Sequence, residues 1–171
     1  ITLALLLIAG ANVLAAEPPS AEMLAGCAAC HGAEGEGKQA LGAPPLAGQD
    51  AAYLARQLNN FKAGRRGYAE QDLAGRHMRS FASGLGEQGI ASLSAYFAGL
   101  PAVRLSVAAG AAEPNGKALY ADTCAQCHGQ QAEGSPQMQA PNLRILGGWY
   151  IDQQLSGYVQ GWRGAEAHSD I

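Results

Sequence analysis

The spacing of apolar side chains along the chain predicts helices. In residues 87–100 the apolar positions recur every three or four residues, which is the repeat of one helical face, and Pro101 ends the segment. Residues 50–63 and 150–160 share a similar helical pattern with each other, and shorter helices are predicted over 21–26 and 117–122. No segment alternates apolar and polar residues for long enough to indicate a strand. The pattern therefore predicts an all-α protein.

The first sixteen residues differ from the rest because nearly all of them are apolar or small. This run precedes Pro18 and Pro19 and is typical of a secretory signal peptide, so export to the periplasm is expected. An uncleaved N-terminal membrane anchor is the alternative. Residues 1–16 are shorter than the roughly 20 apolar residues that span a bilayer, but the absence of an initiator Met and a basic leader indicates that further residues are expected upstream. The net charge of −3 argues against nucleic-acid binding, which favours a basic surface.

The chain contains an internal repeat with an offset of 97 residues. The hexapeptide CAACHG, which begins at Cys27, recurs as CAQCHG at Cys124, and the agreement continues for some forty residues beyond it. The matched pairs include Ala43-Pro44 with Ala140-Pro141, Tyr53 with Tyr150, Gln57-Leu58 with Gln154-Leu155, and Arg66-Gly67 with Arg163-Gly164. We therefore predict two domains, a first repeat over 17–100 and a second repeat over 115–171, joined by a linker at 101–114.

Each repeat carries a Cys-x-x-Cys-His motif, which is the attachment site of a c-type haem. Two thiols separated by two residues can form thioether bonds to one haem, and the histidine that follows can bind its iron. The predicted attachment residues are Cys27, Cys30, Cys124 and Cys127, and the predicted iron ligands are His31 and His128. A zinc ribbon would need the cysteine pairs about 15–20 residues apart, and a thioredoxin-like site would need a βαβ unit. Structural disulfides suit an exported protein but do not require a histidine after each pair.

A second axial ligand is expected on the opposite face of each haem. For the first haem the prediction is Met78, carried round the haem by a loop, with the adjacent His77 as the competing ligand. Met23 is expected in the core, and Met138 is expected to be a packing residue. The repeat offset places the equivalent methionine near position 175, so the sixth ligand of the second haem is expected beyond Ile171, with His168 as a solvated residue.

The two repeats resemble class I cytochrome c domains, and their tandem arrangement resembles the di-haem cytochromes of the c4 type. The resemblance rests on the CxxCHG motifs, the Ala-Pro loops, the segments YLARQLNNFKAGRR and YIDQQLSGYVQGWR, and Met78 with the helical segment that follows it. It implies that each domain wraps round one haem, and that the carbonyls of Pro44 and Pro141 accept the proton on Nδ1 of the haem-binding histidine. Four repeat-matched residues are then candidates for hydrogen bonds to haem propionates, with surface or packing roles as the alternative: Tyr53, Tyr150, Arg66 and Arg163.

The predicted function is electron transfer rather than catalysis, because histidine and methionine together leave no open position on the iron. The expected partners are redox proteins, such as a quinol-oxidising complex as donor and a terminal oxidase or reductase as acceptor. Two alternatives stay open. One is a haem subunit of a membrane dehydrogenase or oxidase, and the other is a di-haem enzyme with an open iron site.

Overall fold

The computed structural model describes residues 17–103 and 114–165, and within these ranges the secondary structure is helical. The helices are α1 (Ala21–His31), α2 (Ala51–Lys62), α3 (Leu73–Ser83), α4 (Glu87–Gly99), α5 (Pro114–Leu119), α6 (Ala125–His128) and α7 (Gly148–Val159). A 3-10 turn lies at Gln39–Leu41, and a π-helical turn at Tyr120–Cys124 connects α5 to α6. The described part of the chain contains two isolated β-bridges and no strand. The all-α prediction is confirmed.

Polar side chains set the start of three helices in the first repeat. Ser20, Asp50 and Asp72 accept hydrogen bonds from backbone N–H groups in the first turns of α1, α2 and α3, respectively. Such caps satisfy donors that have no partner inside the helix. The predicted helices over 50–63 and 87–100 appear as α2 and α4, with no end displaced by more than one residue.

The core of the first repeat lies between α2, α4 and the turn that precedes α4, while α3 packs on α2. Its buried residues are Leu54, Leu85, Ile90, Leu93 and Phe97. Met23 packs against this cluster, as the sequence predicts. Met138 does not pack as expected, because its side chain is 58% exposed.

The second repeat reproduces the local geometry of the first. The β-bridges Lys38–Ala43 and Ser135–Ala140 occupy matched positions. Gly32 and Gly129 end the two motif helices with φ angles of 85° and 81°, and each donates its N–H to the carbonyl three residues before the motif histidine. Since this conformation favours glycine, the motif helix ends directly after the histidine in both repeats.

Several predictions concern residues outside the described ranges. These are the signal peptide or anchor at 1–16, most of the linker at 101–114, and the position of His168. The domain boundaries stay a prediction. Across 17–103 and 114–165, no helix has the length and apolarity needed to cross a membrane.

Candidate haem-binding site

The last two turns of α1 bring the first motif together on one side of the helix. Cys27, Cys30 and His31 are three and four residues apart, and residues at this spacing share a helical face. All three side chains line the same cavity. Burial raises the pKa of the Cys27 thiol to about 11, so this sulfur is neutral near pH 7.

The ring of His31 is oriented by a hydrogen bond to a loop. Its Nδ1 lies 2.8 Å from the carbonyl oxygen of Pro44. A carbonyl can only accept, so Nδ1 carries the proton and Nε2 is left with its lone pair for a metal. Burial lowers the pKa of His31 and outweighs the hydrogen bond to Pro44, which raises it. The ring is therefore held neutral, in the tautomer that binds iron through Nε2.

A glycine allows this loop to approach the histidine. Gly37 has a φ of 82°, and its N–H donates to the carbonyl of His31 over 2.7 Å. A Cβ at this position would lie 2.5 Å from the nitrogen of Pro45 and 2.8 Å from the carbonyl carbon of Pro44. The close packing of loop on helix, and with it the hydrogen bond of His31, depends on the absence of a side chain at Gly37.

The cavity beside His31 is lined mainly by apolar side chains, including Leu54, Leu93 and Phe97 of the core. Met78 also lines it, from helix α3. The sequence prediction that a loop carries Met78 is wrong, because Met78 lies in the middle of α3, whose start is fixed by the Asp72 cap. An apolar cavity with two thiols and an imidazole on one side and a thioether on its lining fits a covalently attached haem.

The second motif has the same arrangement at the end of α6. Cys127 and His128 lie in this four-residue helix, and Cys124 precedes it in the π-helical turn. The Nδ1 of His128 lies 3.0 Å from the carbonyl oxygen of Pro141, so this ring has the same tautomer as His31. Gly134 plays the part of Gly37, with a φ of 84°. The residues of this site fit a second haem.

The repeat-matched polar residues lie at the contact between the two repeats. Arg66 and Arg163 are buried, and each donates to the glutamine of its own repeat, over 2.6 Å to Gln57 and 2.7 Å to Gln154. Arg66 also donates across the contact to Gln154 over 2.9 Å. Each guanidinium stacks on an aromatic ring of its own repeat, which compensates part of the cost of burying a charge.

The two matched tyrosines contribute to the same cavity from different repeats. Tyr53, Arg66 and Tyr150 all line the first cavity, so the second repeat forms part of the wall of the first site. Burial, reinforced by Tyr150, raises the pKa of Tyr53 to about 12. Tyr53 is therefore a neutral hydrogen-bonding group at physiological pH.

Sequence reasoning missed the glutamines of this contact. Gln57 and Gln154 were visible as a matched pair in the repeat, but their role depends on the arginines that fold against them. The side chain of Gln49 hydrogen-bonds to the backbone of Asn142. No glutamine occupies the equivalent position of the second repeat, so the repeat did not indicate a role for Gln49.

The other chemistries of paired cysteines find no support in the geometry. All four cysteines lie in the described ranges, and none of them forms a disulfide. Among the described residues, no three or more His, Cys, Asp or Glu side chains are grouped so that they could hold a metal ion by themselves.

Comparison with known proteins agrees with the site. A family model for cytochrome c matches residues 19–101 and 114–170. The chain belongs to the cytochrome c family. A cytochrome c4 from Pseudomonas aeruginosa is 31% identical over 157 residues, covering 85% of this chain and 72% of the relative. A protein named thiosulfate dehydrogenase electron acceptor, from Thiomonas intermedia, is 35% identical over 163 residues, covering 89% and 70%.

A solved structure extends the likeness to three dimensions. The cytochrome c4 of Acidithiobacillus ferrooxidans superposes with a TM-score of 0.70 at 27% identity, covering 86% of this chain and 88% of the other. This cytochrome is therefore a di-haem protein of the c4 type. Two haem c groups are bound covalently, one through Cys27 and Cys30 and the other through Cys124 and Cys127.

Proposed function

We propose that this di-haem cytochrome carries single electrons between exported or membrane-bound redox proteins. A bound haem supplies a ferric–ferrous couple, and the chain around it sets the potential and controls access to the iron. The observation that carries the proposal is the lining of the first cavity, where His31 and Met78 contribute from α1 and α3 to one apolar site. If both side chains bind the iron, the first haem has no position open to a substrate.

The proposed axial ligands are His31 and Met78 for the first haem and His128 for the second. The Nδ1 hydrogen bonds of both histidines support this assignment, because they leave Nε2 of each ring available to iron. Both Met78 and His77 line the cavity. Met78 is favoured as the ligand because it is half-buried there, whereas His77 is exposed. The contact between the repeats supports electron exchange between the two haems within one molecule.

The proposed setting is the periplasm, with the apolar leader at 1–16 directing export or anchoring the protein. The proposed donor is a quinol-oxidising complex or another dehydrogenase, and the proposed acceptor is a terminal oxidase or reductase. The name of the Thiomonas intermedia relative, an electron acceptor of a dehydrogenase, supports the donor side of this proposal.

The substitution Met78→Ala tests the closed site. In the mature di-haem protein we expect the far-red sulfur-to-iron band of the first haem to disappear and its reduction potential to fall, because methionine ligation raises the potential. The open position should also bind added cyanide or carbon monoxide. The matched control is His77→Ala, which removes the neighbouring side chain and should leave the spectrum and the potential unchanged.

The assignment of Met78 as a ligand fails if His77→Ala, and not Met78→Ala, alters the first haem. A wild-type protein whose ferrous haem already binds carbon monoxide rapidly would point to catalysis at an open iron site.

A further inference from the structure

The side chain of Gln49 connects the first repeat to the histidine loop of the second. It is 2% exposed, although it lies on the short segment before α2. Its Nε2 donates to the carbonyl of Asn142 over 3.0 Å, and its Oε1 accepts from the N–H of Asn142 over 2.9 Å. The N–H of Asp50 also donates to Oε1, over 3.0 Å, and holds the amide in this orientation. A buried amide with both ends bonded is a fixed element of the structure.

The N–H that Gln49 accepts belongs to the same peptide group as the carbonyl that orients His128. This peptide joins Pro141 to Asn142, and the oxygen of Pro141 lies 3.0 Å from Nδ1 of His128. The hydrogen bonds thus form a chain from Gln49 through the peptide group to the imidazole. Consecutive hydrogen bonds polarise one another, so the bond at the N–H makes the carbonyl oxygen a stronger acceptor for His128.

The first haem site lacks this chain. The residue that corresponds to Asn142 is Pro45, which has no N–H. The peptide group whose carbonyl orients His31 therefore cannot donate a hydrogen bond to a side chain. The residue that corresponds to Gln49 is Leu146, which has no polar side chain. The coupling therefore runs one way, from the first repeat to the histidine of the second.

We propose that Gln49 is a positioning residue that lowers the reduction potential of the second haem through the Asn142 peptide and His128. A stronger acceptor at Nδ1 makes the imidazole a better donor to iron, which favours the ferric state. The proposal rests on the proposed ligation by His128, and it is independent of which proteins donate or receive electrons. The reduction potentials of the two haems would then differ because a side chain of the first repeat hydrogen-bonds to the backbone of the second.

A purely structural role for Gln49 predicts the opposite sign. If Gln49 only holds the repeats together, its loss would open the contact and expose the haems to water. Water favours the more highly charged ferric state, so the potential would fall. Loss of the polarised peptide would instead make the potential rise. The direction of the change separates the two roles.

The test compares Gln49→Leu with wild type in the mature di-haem protein. Spectroelectrochemical titration, with the two haems assigned by nuclear magnetic resonance, gives the ferrous-to-ferric ratio of each haem at one fixed potential. We expect this ratio to rise roughly 1.3- to 4.5-fold for the second haem, since cooperative strengthening amounts to about 10–30% of a bond to a charged group. The ratio for the first haem should be unchanged.

Two further variants separate the backbone from the side chain. Asn142→Pro removes the N–H and reproduces the first site, and we expect the same rise, with no further change when it is combined with Gln49→Leu. Asn142→Ala keeps the N–H and loses only the side-chain bond to the backbone of Arg144, so it should leave both potentials unchanged.

The inference is overturned if Gln49→Leu leaves the second potential unchanged or lowers it, or if Asn142→Ala has the same effect as Asn142→Pro. Failure of the underlying ligation would look different. In that case the ring protons of His128 in the ferric protein would lack the large hyperfine shifts of an iron ligand, whatever the potentials do.

Discussion

Gly37 offers a direct test of how the first histidine is held. Substituting Gly37→Ala adds one methyl group at a residue with a φ of 82°, between the end of α1 and the loop that contains Pro44. The atoms it would meet, 2.5 Å and 2.8 Å away, are the nitrogen of Pro45 and the carbonyl carbon of Pro44. Both belong to the backbone and cannot rotate away as a side chain can. The loop must therefore shift, and the carbonyl that orients His31 shifts with it.

The expected loss of stability has two parts. A left-handed backbone costs an L-residue about 1–2 kcal/mol, and forcing an extra carbon into a closely packed contact costs about 1–3 kcal/mol. The free energy of unfolding should therefore fall by about 2–5 kcal/mol, which corresponds to a decrease in Tm of roughly 4–20 °C for a chain of this size. Because the substitution displaces the acceptor of His31, the reduction potential of the first haem should also change while that of the second does not.

Guanidinium unfolding of the mature protein, followed by far-ultraviolet circular dichroism, measures the stability, and spectroelectrochemistry measures the potentials. The matched control is Gly99→Ala at the end of α4, where an added Cβ meets nothing within 4 Å. Alanine there should leave stability unchanged or raise it by up to about 1 kcal/mol. If Gly37→Ala were as stable as Gly99→Ala and kept the wild-type potential of the first haem, the close approach would have no role in holding His31.

Two further predictions concern the core and the buried tyrosine. Leu93 is 2% exposed, and Leu93→Ala should lower the free energy of unfolding by about 2–5 kcal/mol. Leu73 is 66% exposed, and the control Leu73→Ala should change this free energy by less than about 0.5 kcal/mol. Equal effects of the two substitutions in chemical denaturation would contradict the assigned core. Burial raises the pKa of Tyr53 to about 12, whereas the pKa of an unfolded tyrosine is about 10. As the pH rises, the unfolded chain therefore loses this proton before the folded protein does. The stability that Tyr53 contributes below pH 10 is lost as the pH rises toward 12. Tyr53→Phe should make this alkaline loss smaller by the order of 2 kcal/mol, and an identical pH profile in the two proteins would refute the assignment.

The cofactor and the helices followed from local patterns. The motif residues from Cys27 to His31 are within two turns of one helix, so their spacing alone places them on one face. The helical repeat in residues 87–100 likewise predicts α4, because the period of the apolar residues is set by the geometry of the helix itself. The carbonyl partners of both histidines were implied by the resemblance to cytochromes c, and the structure contains both hydrogen bonds.

Other features depend on contacts between distant segments, and no local pattern reveals them. The sequence suggested a loop at Met78, whereas the Asp72 cap and packing on α2 make the segment a helix. The sequence also did not predict the burial of Gln49, because a glutamine before a helix is ordinarily a surface residue. It becomes a buried link only when Asn142, 93 positions away, is brought against it. Local spacing determines which residues share a helical face, but the burial and the partners of a polar side chain arise only when the two repeats pack together.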